Sequence, residues 1–521
     1  MEVVVWIFGV LLRVLRFITK PFFWLRTRKE QRVPPIKDPL LMKSATKLAA
    51  DIYNGEVTSE DVVSRFILRI EEVNPYINAV VEHRFKAAKE EAIEIDRKID
   101  EARARGDLDT LVAGKPLLGV PFTVKESCSL AGMSNSVGCL EFRDRRALID
   151  GGAVSRVRAA GGIPLLVSAT PELCLGWETT SLLRGRTNNP YGLARTPAGS
   201  SGGEAALVSS GASVLSVSSD IAGSIRIPAA FCGLFGHKPT PGIIPISGHI
   251  PTLQDEQYSR FLTVGPITRY SEDLYLMMHV LAGEGGKDLY LHRPVDIQHL
   301  KVFFMTEASQ SLAFSPVEDN IKLAVLAAVQ HLKERGATVC EEKFNELKDA
   351  VEMSSSVFFS MKDIPNMLLD PANPKREKNL ILETLKTLFG SGKRSLQALC
   401  FELLKRKRLF VPARKAPYYI EKANKLREKM ERVLSSNGVF LFPCHSSSSH
   451  AHGGVFVHAP GVVYTMPFNA LGLPATTVPM PGPKPGSRPL AVQVVAGPGQ
   501  DRLCLAVAKE LEVKFGGWTP P

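Results

Sequence analysis

Several common functional signatures are missing from this 521-residue chain. No Asn-x-Ser/Thr triplet occurs, so nothing marks a lumenal glycoprotein. The eight cysteines are scattered without Cys-x-x-Cys spacing and read as reduced thiols, mostly in the core. The net charge of +11 comes without a zinc-finger, RNP or helix-turn-helix pattern, which argues against nucleic acid as a partner. Gly199-Ser200-Ser201-Gly202-Gly203 resembles a phosphate cradle, but the Lys-Ser/Thr that completes a P-loop is absent. No Gly-x-Gly-x-x-Gly opens a first β–α turn either, so nucleotide binding has no support. No Gly-x-Ser-x-Gly elbow surrounds Ser224, and no histidine has an obvious triad context. There are no internal repeats and no long low-complexity tract.

What is present begins with an uneven charge distribution. Seven Lys and Arg residues crowd positions 13–32, and a second basic run is Lys405-Arg406-Lys407-Arg408. This placement fits an anionic membrane surface. An apolar run spans Val3 to Leu12, is broken by Arg13 and Arg16, and resumes with Phe17, Ile18 and Phe22 to Leu25. A clean span needs ~20 apolar residues, and the uninterrupted part is shorter. The charge also follows the apolar run rather than preceding it, unlike a cleavable signal. Residues 1–32 are therefore expected to be a retained membrane anchor, either a tilted span or an interfacial helix, with a helix packed on its own domain as the plainer alternative. A span would place the following domain in the cytoplasm.

Residues 33–39 carry three prolines and read as a linker. Thr58 caps a helix that Asn74-Pro75 should end, and a charged amphipathic helix follows over about 85–104. Leu118 to Glu126 is a short β-prone run containing Lys125. Asp150 is expected to cap a helix to about Ala160, and Ile163 to Val167 read as a buried strand. This β–α–β pattern implies a parallel sheet. Val214 to Val217 read as a strand, and a helix is expected over Ile225 to Phe231, directly after Ser224. That places Ser224 at a strand-to-helix turn, facing free helix amides. Further strands are expected at 302–304, 338–340, 439–442 and 493–496, with a helix over about 316–335. Residues 350–435 read as a mainly helical, basic insert.

Two serines set among glycines, Ser200 and Ser224, flank one short apolar segment. Serine is a weak nucleophile until something activates it. A buried lysine can act as a base, and Lys125 is a candidate, although a lysine there is more often the exposed end of a strand. His445, His450, His452 and His458 lie near a serine run without a third metal ligand at recognisable spacing, and read as a polar loop over the site.

Taken together, six segments resemble the amidase signature family in family order. They are Gly119-Val-Pro-Phe-Thr-Val-Lys125, Gly185-Arg-Thr-Asn-Asn-Pro190, Gly199-Ser-Ser-Gly-Gly203, Asp220-Ile-Ala-Gly-Ser-Ile-Arg-Ile-Pro228, Gly236-His-Lys-Pro-Thr240 and Leu471-Gly-Leu-Pro-Ala475. The resemblance covers most of the chain from about residue 45. It implies an α/β amidase signature fold: a mixed central β-sheet covered by helices on both faces. It implies one catalytic domain over 33–521, with a Ser-Ser-Lys core at 115–250. Ser224 would be the nucleophile, Lys125 the neutral base and Ser200 the bridge between them, with Ser201 in support. The main-chain N–H groups of Ile221, Ala222, Gly223 and Ser224 would form the oxyanion hole. No metal or cofactor is implied.

With the N-terminal segment, the expected substrate is a lipid amide, either a primary fatty amide or an N-acyl ethanolamine. A homodimer is among the assemblies this allows. The alternatives are another amidase of the family, such as the glutaminase subunit of an aminoacyl-tRNA amidotransferase, or a catalytically silent lipid-binding scaffold. Ala222, Ala198 and Ala169 depart from the family pattern, which has glycine at the first, often at the second, and commonly asparagine at the third. At Ala222 a positive φ would cost about 1–2 kcal/mol.

Overall fold

The computed structural model describes residues 1–370, 373–484 and 486–521. Eleven strands form one sheet: β1 (Val80–His83), β2 (Pro121–Lys125), β3 (Ile163–Ser168), β4 (Leu215–Asp220), β5 (Phe235–Lys238), β6 (Thr263–Thr268), β7 (Lys301–Phe304), β8 (Thr338–Val339), β9 (Gly438–Pro443), β10 (Ala475–Met480) and β11 (Leu490–Ala496). Their spatial order is β1-β3-β2-β4-β6-β5-β10-β11-β9-β7-β8. The sheet is mixed. β3, β2 and β4 run parallel, as do β9, β7 and β8, while the strands between them pair antiparallel. Side chains alternate between faces along a strand, yet every residue of β3, β4, β6, β9, β10 and β11 is buried. Both faces are therefore covered.

The expected strands at 163–167, 302–304, 338–340, 439–442 and 493–496 are present, with ends shifted by one to three residues. β4 continues to Asp220, three residues beyond the expected end, because its serines pair with β6 in the sheet rather than turning into a loop. β1, β5, β6 and β10 were not expected. β5 and β6 contain Gly236, Gly265 and Pro266, which mask a strand pattern. The helix capped by Thr58 runs past Pro75 to Ile77, since the proline falls in the last turn and Asn78 closes the helix with φ +49°. Asp150 does not cap its helix. It accepts from the Ala131 N–H at 2.8 Å and pairs with Arg158 at 3.0 Å, leaving Gly151 at the cap.

Helix α1 (Val3–Thr27) is about 37 Å long at 1.5 Å per residue. Among the described residues no helix is long and apolar enough to cross a membrane. This corrects the expectation of a span, and the orientation argued from it lapses as well. The reason is the spacing of Arg13, Arg16, Lys20 and Arg26 along α1. The helix is docked on the rest of the chain. The Met1 ammonium pairs with Asp349 at 2.5 Å, and Glu2 accepts from Lys415 and Tyr419, each at 2.7 Å. A Cβ on Gly9 would lie 2.3 Å from the Ala313 carbonyl oxygen, so only glycine allows this approach. The outer face keeps Trp6, Phe17, Ile18 and Trp24 exposed.

Helix α2 (Gly202–Ser209) follows the first serine loop, and α3 (Arg226–Phe231) follows the second. The insert at 350–435 holds α4 (Ala350–Phe358), α5 (Leu380–Leu388), α6 (Leu396–Lys407) and α7 (Ala416–Leu434). It also holds two short paired strands, Leu369–Asp370 and Asn373–Glu377; residues 371 and 372 lie outside the description.

Candidate active site

The parallel strands β2 and β4 pair Val124 with Val217, so Lys125 and Asp220 end their strands at the same edge of the sheet. That edge, at the carboxyl ends of parallel strands, is where α/β sheets bind ligands. Lys125 is fully buried, not the exposed strand end that is commoner for such a lysine. Its Nζ lies 2.7 Å from Ser200 Oγ, 3.0 Å from Ser219 Oγ and 3.4 Å from the Ser219 carbonyl oxygen, all within hydrogen-bond reach. Among the described residues no carboxylate lies within salt-bridge distance of it. Ser200 stands just before α2, and the Gly199–Ser200 peptide is cis. The Ser201 N–H donates to the Ser224 carbonyl at 3.2 Å, and Ser201 Oγ donates to the Ser219 carbonyl at 3.3 Å, so Ser201 ties the two serine loops together.

Ser224 sits in the turn between β4 and α3, and its hydroxyl makes no hydrogen bond among the described residues. The turn is shaped by Asp220. Its carboxylate accepts from the N–H groups of Gly223 (2.7 Å) and Ile225 (3.1 Å) and pairs with the Arg226 guanidinium at 3.0 Å. Both side chains are fully buried. Burial opposes the Asp220 charge, but Arg226, Lys238 and the Gly223 N–H outweigh it and hold the carboxyl well below the usual range. Arg226 also donates to Gln493 Oε1 (2.7 Å), Asn469 Oδ1 (2.6 Å) and the Thr465 carbonyl (2.9 Å). A buried network of this kind holds one backbone arrangement, because any missing partner leaves a charge unsatisfied.

This network assigns work within the turn. The Gly223 N–H is engaged by Asp220, whereas those of Ile221, Ala222 and Ser224 have no acceptor among the described residues. Gly223 has φ +99°, and a Cβ there would lie 2.2 Å from Thr465 Oγ1. Glycine is required at 223. Ala222 does not have a positive φ, so its methyl group carries no backbone strain. Its carbonyl accepts from Trp177 Nε1 at 3.1 Å. The strained position is Ala198, with φ +65°, which costs about 1–2 kcal/mol relative to glycine. Ala169 lies beneath Gly203, where an added Cβ would come within 2.5 Å of the Ala169 carbonyl oxygen.

Ser200, Ser219, Ser224 and His249 open into one cleft. Its remaining walls are mostly apolar: Leu173, Leu175 and Ile221 on the core side, and Phe358, Ile364, Met367 and Phe401 from the insert. Cys174 lines the cleft too. Beneath the site, burial pushes Glu204 up to about 7 even though Thr123 Oγ1 donates to it at 2.6 Å. The four histidines of the 445–458 loop do not cover the cleft. Three of them are buried, with His445 and His450 edge-on to Phe231 of α3 at 5.2 and 5.5 Å, behind the turn that carries Ser224; His452 bonds Glu178 at 3.2 Å. Burial lowers His445 to about 3.

Comparison with known proteins decides the family, since the amidase family model matches residues 61–505. The chain belongs to the amidase family. This amidase is 39% identical over 522 residues to fatty-acid amide hydrolase 2-A of Danio rerio, covering 98% of this chain and 97% of that protein. It is 37% identical over 492 residues to fatty-acid amide hydrolase 2 of Homo sapiens, covering 94% and 92%. A solved fatty acid amide hydrolase shares the fold with TM-score 0.73 and 21% identity, covering 92% of this chain and 86% of that one. The amidase is thus an amide hydrolase with the family's large mixed sheet.

Ser219, Asp220, Arg226, Asn469, Gln493 and His249 were not singled out as site residues from the sequence. Part of the signal was there: Arg226, Asn469 and Gln493 are charged or amide side chains inside otherwise apolar stretches, and Ser219 and Asp220 adjoin the Ser224 motif. His249 carried no such mark.

Proposed function

We propose that this amidase hydrolyses fatty acid amides, both primary fatty amides and N-acyl ethanolamines, through an acyl-enzyme on Ser224. The observation that carries the reading is the buried Lys125–Ser200 hydrogen bond at the floor of an apolar cleft that Ser224 also lines. The names of the Danio rerio and Homo sapiens relatives support the substrate class.

In this scheme Lys125 acts in its neutral form. Ser224 Oγ attacks the amide carbonyl carbon and gives its proton to Ser200, whose own proton passes to Lys125 Nζ. The tetrahedral oxyanion accepts from the N–H groups of Ile221, Ala222 and Ser224, and each such donor is worth ~3 kcal/mol. The Gly223 N–H instead braces the turn through Asp220. On collapse, the proton returns from Lys125 through Ser200 to the leaving nitrogen, since an amide anion leaves poorly. Water then attacks the acyl ester by the same relay and frees the acid. No cofactor enters the scheme.

The acyl chain would lie against Phe358, Ile364, Met367 and Phe401, making the insert a wall of the substrate site. Residues 33–521 would act as one catalytic domain, with α1 resting in the membrane interface on its exposed face rather than spanning. Serine at positions 17 and 18 should then weaken flotation with liposomes; undiminished flotation would remove α1 from that role. For the substrate, kcat/KM should rise with acyl length by up to about fourfold per methylene, from ~0.8 kcal/mol of burial each. Equal kcat/KM for acetamide and a long-chain primary amide would sink the lipid reading.

A further inference from the structure

Ser219 contacts the base and is in turn contacted by a histidine. His249 is buried and lines the cleft. Its Nδ1 lies 2.9 Å from the Pro251 carbonyl oxygen, and its Nε2 lies 2.9 Å from Ser219 Oγ. A carbonyl can only accept, so Nδ1 carries the hydrogen, and in the neutral ring Nε2 is an acceptor. Ser219 has one hydroxyl hydrogen, and it must go to Nε2. The Ser219 oxygen is then left to accept from Lys125 Nζ, 3.0 Å away.

The donor count at Lys125 follows from this. A neutral amine has two hydrogens and one lone pair. Two of its contacts, the Ser219 hydroxyl oxygen and the Ser219 carbonyl, can then only accept, so they take the two hydrogens. The lone pair is left for the remaining contact, Ser200 Oγ at 2.7 Å. That is the direction the relay requires. Were Ser219 free to rotate, its hydroxyl could donate to the same lone pair and compete with Ser200. We propose that His249 is a positioning residue for Lys125: by holding the Ser219 hydroxyl hydrogen, it reserves the lysine lone pair for Ser200. The inference rests on the reading of Lys125 as the base.

Two substitutions separate this role from simple loop packing. Asparagine keeps a donor near the Nδ1 position and so keeps the Pro251 contact, but loses the acceptor for Ser219. Glutamine places an amide oxygen near the Nε2 position and so keeps the acceptor. In hydrolysis of a long-chain primary amide, His249→Asn should lower kcat by up to about 100-fold with KM little changed. His249→Gln should recover most of kcat. In a Ser219→Ala background the Asn change should add almost nothing, because the group it acts through is gone. Thermal melts of each variant report folding separately. If Asn is tolerated and Gln is not, or if the His249→Asn and Ser219→Ala losses multiply, the inference is overturned. Lys125→Ala identifies the other failure: wild-type activity there would remove the base reading itself, whatever His249 does.

Discussion

Replacing Asp220 by Asn changes one atom at the point where the turn that carries Ser224 is tied to the core. One carboxylate oxygen accepts from the Gly223 N–H, Arg226 Nη2 and Asn469 Nδ2; the other accepts from the Ile225 N–H, the Arg226 N–H and Arg226 Nε. Whichever oxygen becomes an amide nitrogen, three donors lose their acceptor. Arg226 also keeps its charge, fully buried, without a counter-ion. Breaking a buried pair from one side costs about 3–5 kcal/mol. An unfolding entropy of ~2.1 cal/mol/K per residue over 521 residues is about 1.1 kcal/mol/K, so Tm should fall by about 3–5 °C. Because the proposed oxyanion donors lie in this turn, labelling of Ser224 by a fluorophosphonate should also slow, by about 100-fold or more. Differential scanning fluorimetry and timed labelling read the two effects. An unchanged Tm together with wild-type labelling would refute the claim that Asp220 shapes the turn.

Two further outcomes follow from single positions. Gly223→Ala should abolish activity, since it forces a side chain into φ +99° and against Thr465, while Ala222→Gly should be close to neutral; a pair of equally active variants would contradict this. Glu204, raised to about 7 by burial from an ordinary 4.5, binds its proton more tightly folded than unfolded. Its stabilising contribution is therefore complete below about pH 4.5 and lost as pH rises through 7, a change of about 3 kcal/mol. Stability of the wild type relative to Glu204→Gln should fall by that amount between pH 4.5 and 8 in denaturant titrations; a constant difference would show that Glu204 does not titrate there.

The parts of this structure legible in the sequence were those with a local pattern. Lys125, Ser200 and Ser224 lie 75 and 24 residues apart, yet each stands in a short glycine- or strand-flanked motif, and the structure brings Lys125 to Ser200 and both serines to one cleft. β5 and β6 were hidden because their glycines and proline are tolerated only through pairing with distant strands. The Asp220–Arg226 network was hidden for a related reason: Asn469 and Gln493 arrive from more than 240 residues away. For α1, hydropathy registered the apolar residues but not the docking of Met1, Glu2 and Gly9 against the domain, which depends on tertiary partners. Ala222 is resolved by its φ alone, a quantity that composition does not carry.

If Ser224, and no other serine, attacks the amide, a covalent probe should find it alone. Label the full-length protein with a fluorophosphonate, digest it, and locate the adduct by mass spectrometry. One modified residue is expected, Ser224, with no labelling of Ser224→Ala under the same conditions. Label on Ser200 or elsewhere in the wild type, or labelling that survives in Ser224→Ala, would contradict it.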